Sequence, residues 1–332
     1  MIFSRRKPHE YIIEVAAQCN LRCPSCPNGN SDLGHRPTTN MDVELFRQIV
    51  AKIARDNPNV EMLQLYNWSE PLLHPELPQL VEEAKRVGLP CAISSNLNVS
   101  VDRLLKVVDA GVDSIRVSIS GTEQESYGFT HAGGHTDVVK RNLRSLHDAV
   151  ASSSRPPDVQ VLYHLYTHNT GAQLDEIVGL CDEYDFRLAT CWAYLMPIEQ
   201  QLACLHGEFT GEGSQVLDRL AIKPQEARDV SARQPGKGCI LRETQLVINT
   251  DGSVEVCCAV FGDGHRVAPS FLDTSWQRIA LAKSMSTICR SCMKDYVQKT
   301  VVYAGSDELN AIALRRLAEL GAEVPKVLPK FL

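Results

Sequence analysis

No run of this 332-residue chain reaches the roughly 18–20 apolar residues of a membrane-spanning helix, so no such helix is expected. A surplus of basic charge is missing as well. The 34 Lys and Arg stand against 40 Asp and Glu, a net charge of −6, which removes the electrostatic footprint of a nucleic-acid or anionic-membrane binder. There is no internal repeat and no low-complexity tract, so neither a solenoid nor a disordered linker is expected. Met1–Glu10 carries Arg5, Arg6 and Lys7 with no apolar stretch behind them, so a secretory leader is not expected and the cytoplasm is the expected compartment. With 44% hydrophobic and 22% charged residues, the composition is that of a soluble globular protein.

What the chain holds in quantity is cysteine, twelve in all. Thiols stay reduced in the cytosol, so a disulfide scaffold is disfavoured and closely spaced cysteines read as metal ligands or redox groups.

From Tyr11 to about Trp192, short apolar runs alternate with amphipathic stretches. The strand candidates are Tyr11–Val15, Met62–Tyr66, Cys91–Ser94, Ser114–Ser118, Val159–Leu165 and Leu188–Trp192. Helical stretches lie near Val43–Ala54, Leu77–Val87, Val101–Ala110, Val138–Ala151 and Leu174–Glu183. In the second of these, Leu77, Leu80, Val81 and Ala84 are three or four apart, the spacing of one helix face. Repeated strand–helix units imply a parallel sheet with right-handed crossovers. The α/β class expected is a partial (β/α)6 TIM-like barrel over residues 1–195, with a doubly wound open sheet as the alternative. Residues 196–236 read as a linker with irregular helix, ending in the breaker-rich Gln234-Pro235-Gly236-Lys237-Gly238. Gln245–Ile248 and Val254–Val256 then flank Asn249-Thr250-Asp251-Gly252, a β-hairpin signal. Residues 237–305 form a small cysteine-rich unit, and 306–332 a C-terminal helix and tail, with Ile312–Leu320 helical.

Cys19, Cys23 and Cys26 follow the first strand candidate in the run Gln18-Cys19-Asn20-Leu21-Arg22-Cys23-Pro24-Ser25-Cys26-Pro27-Asn28. Three thiolates on one short loop can hold three corners of a cubane 4Fe–4S cluster, and without a fourth cysteine nearby one iron keeps an open position. A zinc knuckle would want a further Cys or His close by. Cys-x3-Cys-x2-Cys after the first strand of a (βα) pattern resembles the radical S-adenosylmethionine (SAM) superfamily. That resemblance implies an enzyme whose open iron chelates the amino and carboxylate groups of SAM. One-electron reduction then gives a 5′-deoxyadenosyl radical that abstracts a substrate hydrogen.

The resemblance extends along the chain. Tyr66-Asn67-Trp68-Ser69-Glu70-Pro71 is similar to the family's Gly-Gly-Glu-Pro loop, with Trp68 and Ser69 in place of the glycines; it implies that Ser69 and Glu70 meet the amino end of SAM. Ser94-Ser95-Asn96-Leu97 stands where relatives carry Thr-Asn-Gly, and Ser118-Ile119-Ser120-Gly121 resembles their Ser-x-Asp-Gly segment. Asn96, Ser118 and Ser120 are therefore implied cofactor contacts. Arg141 lies in the region where relatives set an arginine against the SAM carboxylate; a solvated helix charge is the alternative.

A second group comprises Cys239 before the hairpin, Cys257 and Cys258 at its end, and the pair Cys289 and Cys292. Its start resembles the SPASM domain of radical SAM enzymes, and its extent resembles the shorter "twitch" version with one auxiliary 4Fe–4S cluster. Cys239, Cys257, Cys289 and Cys292 would saturate such a cluster, with Cys258 as an alternative to Cys257. Four cysteines with a hairpin also describe a structural zinc ribbon. The layout is similar to that of the twitch-type aminocyclitol dehydrogenase of butirosin biosynthesis.

The resemblance implies a small polar substrate: a carbohydrate, aminocyclitol, nucleoside or nucleotide-sugar. Dehydrogenation, epimerisation and carbon–carbon bond formation all remain open as outcomes. A flavodoxin or ferredoxin is the expected reductant. Tyr163, His164 and His168, near the end of the fifth strand, are candidates to take a proton from an alcohol. Cys191 and Cys204 are candidate hydrogen-donating thiols, or simply buried structural ones. A peptide maturase and a non-catalytic metal-binding protein are the alternative readings.

Overall fold

The computed structural model describes residues 7–30, 39–209, 212–234, 238–302 and 306–330. Strands β1 (Glu10–Ile13), β2 (Met62–Gln64), β3 (Cys91–Ser95), β4 (Ser114–Ile119), β5 (Asp158–Leu165) and β6 (Arg187–Trp192) pair in parallel, each beside the next in sequence. This order decides between the two expected architectures. A doubly wound sheet reverses direction at a switch point and puts helices on both faces, whereas an unbroken order with right-handed crossovers puts every helix on one face. The sheet is of the second kind, an α/β partial barrel whose concave face is free to line a cavity.

The helices form where the apolar spacing demanded them. In Val43–Asp56 the buried residues are Phe46, Ile49, Val50 and Ile53, and Asp42 caps the start by accepting from the Glu44 and Leu45 amides. Together with Leu77–Arg86, Val101–Asp109, Thr136–Ser152 and Ala172–Tyr184, they bury that face against the outward residues of the strands in one continuous core. Strand β5 shows the alternation plainly. Val159, Val161, Tyr163 and Leu165 are buried toward the helices, leaving Gln160, Leu162 and His164 for the lumen.

The cysteine-rich unit does not stand apart from this sheet. Strand β7 (Gln245–Ile248) pairs in parallel with β1, from Glu10↔Gln245 to Ile13↔Ile248. It turns through Asn249–Gly252 into β8 (Val254–Glu255), and a further strand absent from the sequence reading, β9 (Arg266–Ala268), completes a nine-stranded sheet. Gly252 at φ 78° occupies the left-handed position that this turn requires. The segment read as an irregular linker holds helices Ile198–Leu205, Val216–Arg219 and Pro224–Arg233; its expected end at 236/237 lies outside the described residues. Helix Asp307–Glu319 matches the C-terminal helix, and the chain beyond it returns to β6, where Thr190 donates to the Val327 carbonyl at 3.3 Å. No helix among the described residues is long and apolar enough to cross a membrane.

Candidate active site

The loops leaving β1 to β6 all emerge at the carboxyl edge of the sheet, where parallel folds collect ligand-binding groups. The loop after β1 is fixed by its own backbone. The Cys26 amide donates to Cys23 O at 3.0 Å, the Leu21 amide to Cys19 Sγ at 3.5 Å, and Arg22 N to Ala132 O at 2.9 Å. Gly29 is required here: a Cβ would sit 2.3 Å from Cys23 O and 2.4 Å from Arg22 O. Cys19, Cys23 and Cys26 face one cavity of about 270 Å³. Burial pushes all three thiols up, Cys26 to about 12, so they stay protonated until a metal displaces the protons.

Ser69, Glu70, Asn96 and Ser118 line the same cavity. Ser69 Oγ and Asn67 Nδ2 are buried there without a partner, polar atoms left for a ligand to satisfy. Asn96 Nδ2 donates to Asn20 Oδ1 at 3.1 Å, tying the end of β3 to the cysteine loop. Glu70 is turned to a different task. Its carboxylate accepts the Asn96 amide at 2.8 Å and the Leu72 amide at 3.1 Å, so it braces the mouths of β2 and β3. Burial raises its carboxyl to about 7, against these hydrogen bonds, which lower it.

The bracing gives a measurable expectation. Glu70→Ala leaves two buried amides without acceptors, at roughly 1–3 kcal/mol each, so chemical unfolding under reducing conditions should show a loss of about 2–6 kcal/mol near pH 5. The folded carboxyl near 7 lies above the unfolded value of about 4.3, so its contribution is complete below that value and falls as pH rises to about 7. The gap between wild type and variant should therefore narrow from pH 5 to pH 8. A gap that widens would show that Glu70 is held ionised.

A second cavity, of about 670 Å³, opens through the lumen and shares Ser25, Cys26, Trp68, His164 and Tyr166 with the first. His164 and Cys191 are register partners on β5 and β6, and both line it. Burial, with Arg116 adding its charge, lowers the His164 imidazole to about 4 and leaves it neutral near pH 7, with Nδ1 buried and unpartnered. Burial pushes the Cys191 thiol to about 12.

Other expected site residues lie elsewhere. Tyr163 is on the helix-facing side of β5, its hydroxyl donating to Asn169 O at 2.7 Å, because strand alternation points it away from the lumen that His164 enters. His168 lies beyond the strand between Phe129 and Tyr166, ring centroids 5.8 and 5.6 Å away, and lines neither cavity. Cys204, on helix Ile198–Leu205, packs in a small apolar cluster with Tyr166 and Leu195. Arg141 is exposed and pairs with Asp137 at 2.7 Å; one residue on, Asn142 takes the inward position and donates to Leu97 and Val99 carbonyls. Ser120 also misses the cavity and bonds His131 Nδ1 at 2.6 Å. His131, which does line it, was not among the expected contacts. It stacks on Tyr127 at 4.7 Å, and burial lowers its imidazole to about 3. Arg116 was missed too, although the alternation Ser114-Ile115-Arg116-Val117-Ser118 puts it on the face of Ser118.

The second cysteine group gathers as well. Cys239, Cys257, Cys289 and Cys292 line a narrow cavity, while the Cys258 thiol turns to Gln245 Oε1 at 3.2 Å. Lys283 is buried beside them and donates to Gln245 O at 2.7 Å. Burial lowers its ammonium, and the charges of the surrounding cysteine thiolates oppose that shift. Among the described residues, no three His, Cys, Asp or Glu side chains close tightly on one point as around a single metal ion. The two cysteine sites are joined by Trp68, whose indole N–H donates to Val260 O at 2.7 Å and whose ring meets Phe261 edge-on.

The family model "Radical SAM superfamily" matches residues 13–181. A GTP 3′,8-cyclase of Chlorobaculum tepidum is 26% identical over 64% of this chain, which spans only 61% of that relative's length. A PqqA peptide cyclase of Streptomyces rochei is 27% identical over 76% of this chain and 70% of its own. Among solved structures, native anSMEcpe with bound AdoMet superposes with a TM-score of 0.56 at 15% identity, covering 94% of this chain and 99% of that one.

Proposed function

The chain belongs to the radical SAM superfamily, and on that premise we propose that it is an enzyme abstracting hydrogen from a small polar substrate held in the barrel lumen. The family implies one 4Fe–4S cluster and SAM, and the residues present fit both. Three thiols share one cavity, and Ser69 Oγ and Asn67 Nδ2 stand buried and unpaired at its wall. Cys19, Cys23 and Cys26 would hold the cluster; Ser69, Asn96, Ser118 and His131 would contact SAM. When bound, these groups supply one-electron cleavage to a 5′-deoxyadenosyl radical.

The observation that carries the substrate reading is the shared wall. A lumen of about 670 Å³ meets the cysteine cavity directly, and it falls within the size range of small-molecule sites. His164, neutral near pH 7, is placed to accept a proton from a substrate hydroxyl, and Cys191 across the sheet is the thiol placed to return a hydrogen. A carbohydrate, aminocyclitol, nucleoside or nucleotide-sugar fits this space, with a flavodoxin or ferredoxin as reductant. The four C-terminal thiols would hold a twitch-type auxiliary 4Fe–4S cluster. The four-thiol set suits a cluster or a zinc ion alike, and the radical SAM domain it accompanies favours iron–sulfur.

The PqqA peptide cyclase relative favours a second reading, a peptide substrate. Substrates deuterated at candidate carbons decide between them. With reconstituted protein, SAM and dithionite, deuterium is expected in 5′-deoxyadenosine from a small polar compound. Transfer from a peptide alone would overturn the small-molecule reading.

A further inference from the structure

The lumen cavity has a marked polarity of charge. Among the described residues that line it none is Asp or Glu, yet Arg116 reaches in from β4 and Lys330 from the C-terminal segment. Arg116 Nε donates to Gln160 Oε1 at 3.2 Å, and one terminal nitrogen donates to the Tyr66 hydroxyl at 3.3 Å. Both partners are neutral. No carboxylate pairs with Arg116 among the described residues, whereas most arginines of this chain that form ion pairs do so on its outer surface. Leu162, Leu188 and Trp192 share the cavity wall, so the cation faces a partly apolar space where an anion is screened less than in water.

Resting on the reading of this lumen as the substrate site, we infer that the substrate carries an anionic group, a carboxylate or a phosphate, bound by the Arg116 guanidinium. The planar fork of arginine pairs with two oxygens of either group at once, and Gln160 and Tyr66 hold that fork in place. Arg116 lies two residues before Ser118 on the same face of β4, farther from the carboxyl edge. An anion held there leaves the rest of the molecule extending toward His164 and the wall shared with the cysteine cavity. Arg116 is thus a specificity-determining residue, set apart from the radical-generating groups.

Three probes that differ in charge test this by anaerobic calorimetry on the reconstituted holoenzyme with SAM: glucose 6-phosphate, glucuronate and glucose. At least one of the two anions should bind about tenfold tighter than glucose or better, and which one does so separates phosphate from carboxylate. Arg116→Met should erase that preference and Arg116→Lys restore part of it. Gln160→Leu, which spares the charge, should weaken the anion by a smaller factor and serves if Arg116→Met does not hold its iron. Equal or undetectable binding of all three probes to wild type, or an undiminished preference in Arg116→Met, overturns the inference. Release of 5′-deoxyadenosine is scored separately. Wild type that cleaves SAM without preferring an anion refutes the anchor alone, and wild type that never cleaves SAM refutes the enzyme reading.

Discussion

Alanine at Cys19, Cys23 or Cys26 is expected to stop the release of 5′-deoxyadenosine and to halve the iron of the reconstituted chain. Wild type should hold about eight irons in two cubane clusters, and each single variant about four. The loss is complete because, among the described residues, the cavity has no further cysteine. Besides the three thiols it presents amides, hydroxyls, Glu70 and two imidazoles; His131 is engaged by Ser120 and Tyr127, and His164 faces the lumen. Two remaining thiolates cannot orient a cluster whose fourth iron must stay open. The same chemistry makes cluster loading depend on pH. The thiols are pushed up by burial, so their protons must leave as metal binds, and loading should weaken as pH falls. A variant that keeps eight irons and full cleavage would remove the first cysteine group from the chemistry.

Removing the second group should have an equally large but different result. In the double variant Cys289→Ala with Cys292→Ala, iron should again fall to about four per chain, while dithionite-driven cleavage of SAM persists. Turnover of substrate should be lost, so that 5′-deoxyadenosine forms without product. The separation follows from geometry. The four C-terminal thiols line their own cavity, joined to the first site through Trp68, which meets Val260 and Phe261. Lys283 sharpens this expectation, since a buried ammonium near Cys239, Cys257 and Cys289 would offset the negative charge that such a cluster carries. Iron near four and one zinc per chain in wild type would instead identify a structural zinc ribbon, and the auxiliary cluster would be withdrawn.

Much of this was open to reading before any coordinates. The apolar spacing in 43–56 and 77–86 and the strand–helix rhythm follow from local periodicity, and the structure keeps those elements to within a residue or two at most ends. The Cys19, Cys23 and Cys26 triad is legible because all three thiols lie within eight residues, so local chain geometry alone brings them to one cavity. Ser69, Asn96 and Ser118, which the family resemblance implied, line the same cavity.

The remainder depended on which way a side chain points, which no short motif states. Tyr163 and His164 are neighbours in sequence, yet the pleat gives one to the core and the other to the lumen. Arg141 and Asn142 divide in the same way around a helix. Glu70 stands where the motif puts it, but its oxygens are claimed by amides whose approach only the folded loops define. The pairing of β7 with β1 joins residues more than 230 apart and continues the barrel sheet into the cysteine-rich segment. By itself the sequence determined the element types and the first cysteine loop, because both arise from contacts close along the chain. The union of the two cysteine groups in one sheet, and the charge of the lumen between them, were decided by long-range packing, which sets distances that no local pattern encodes.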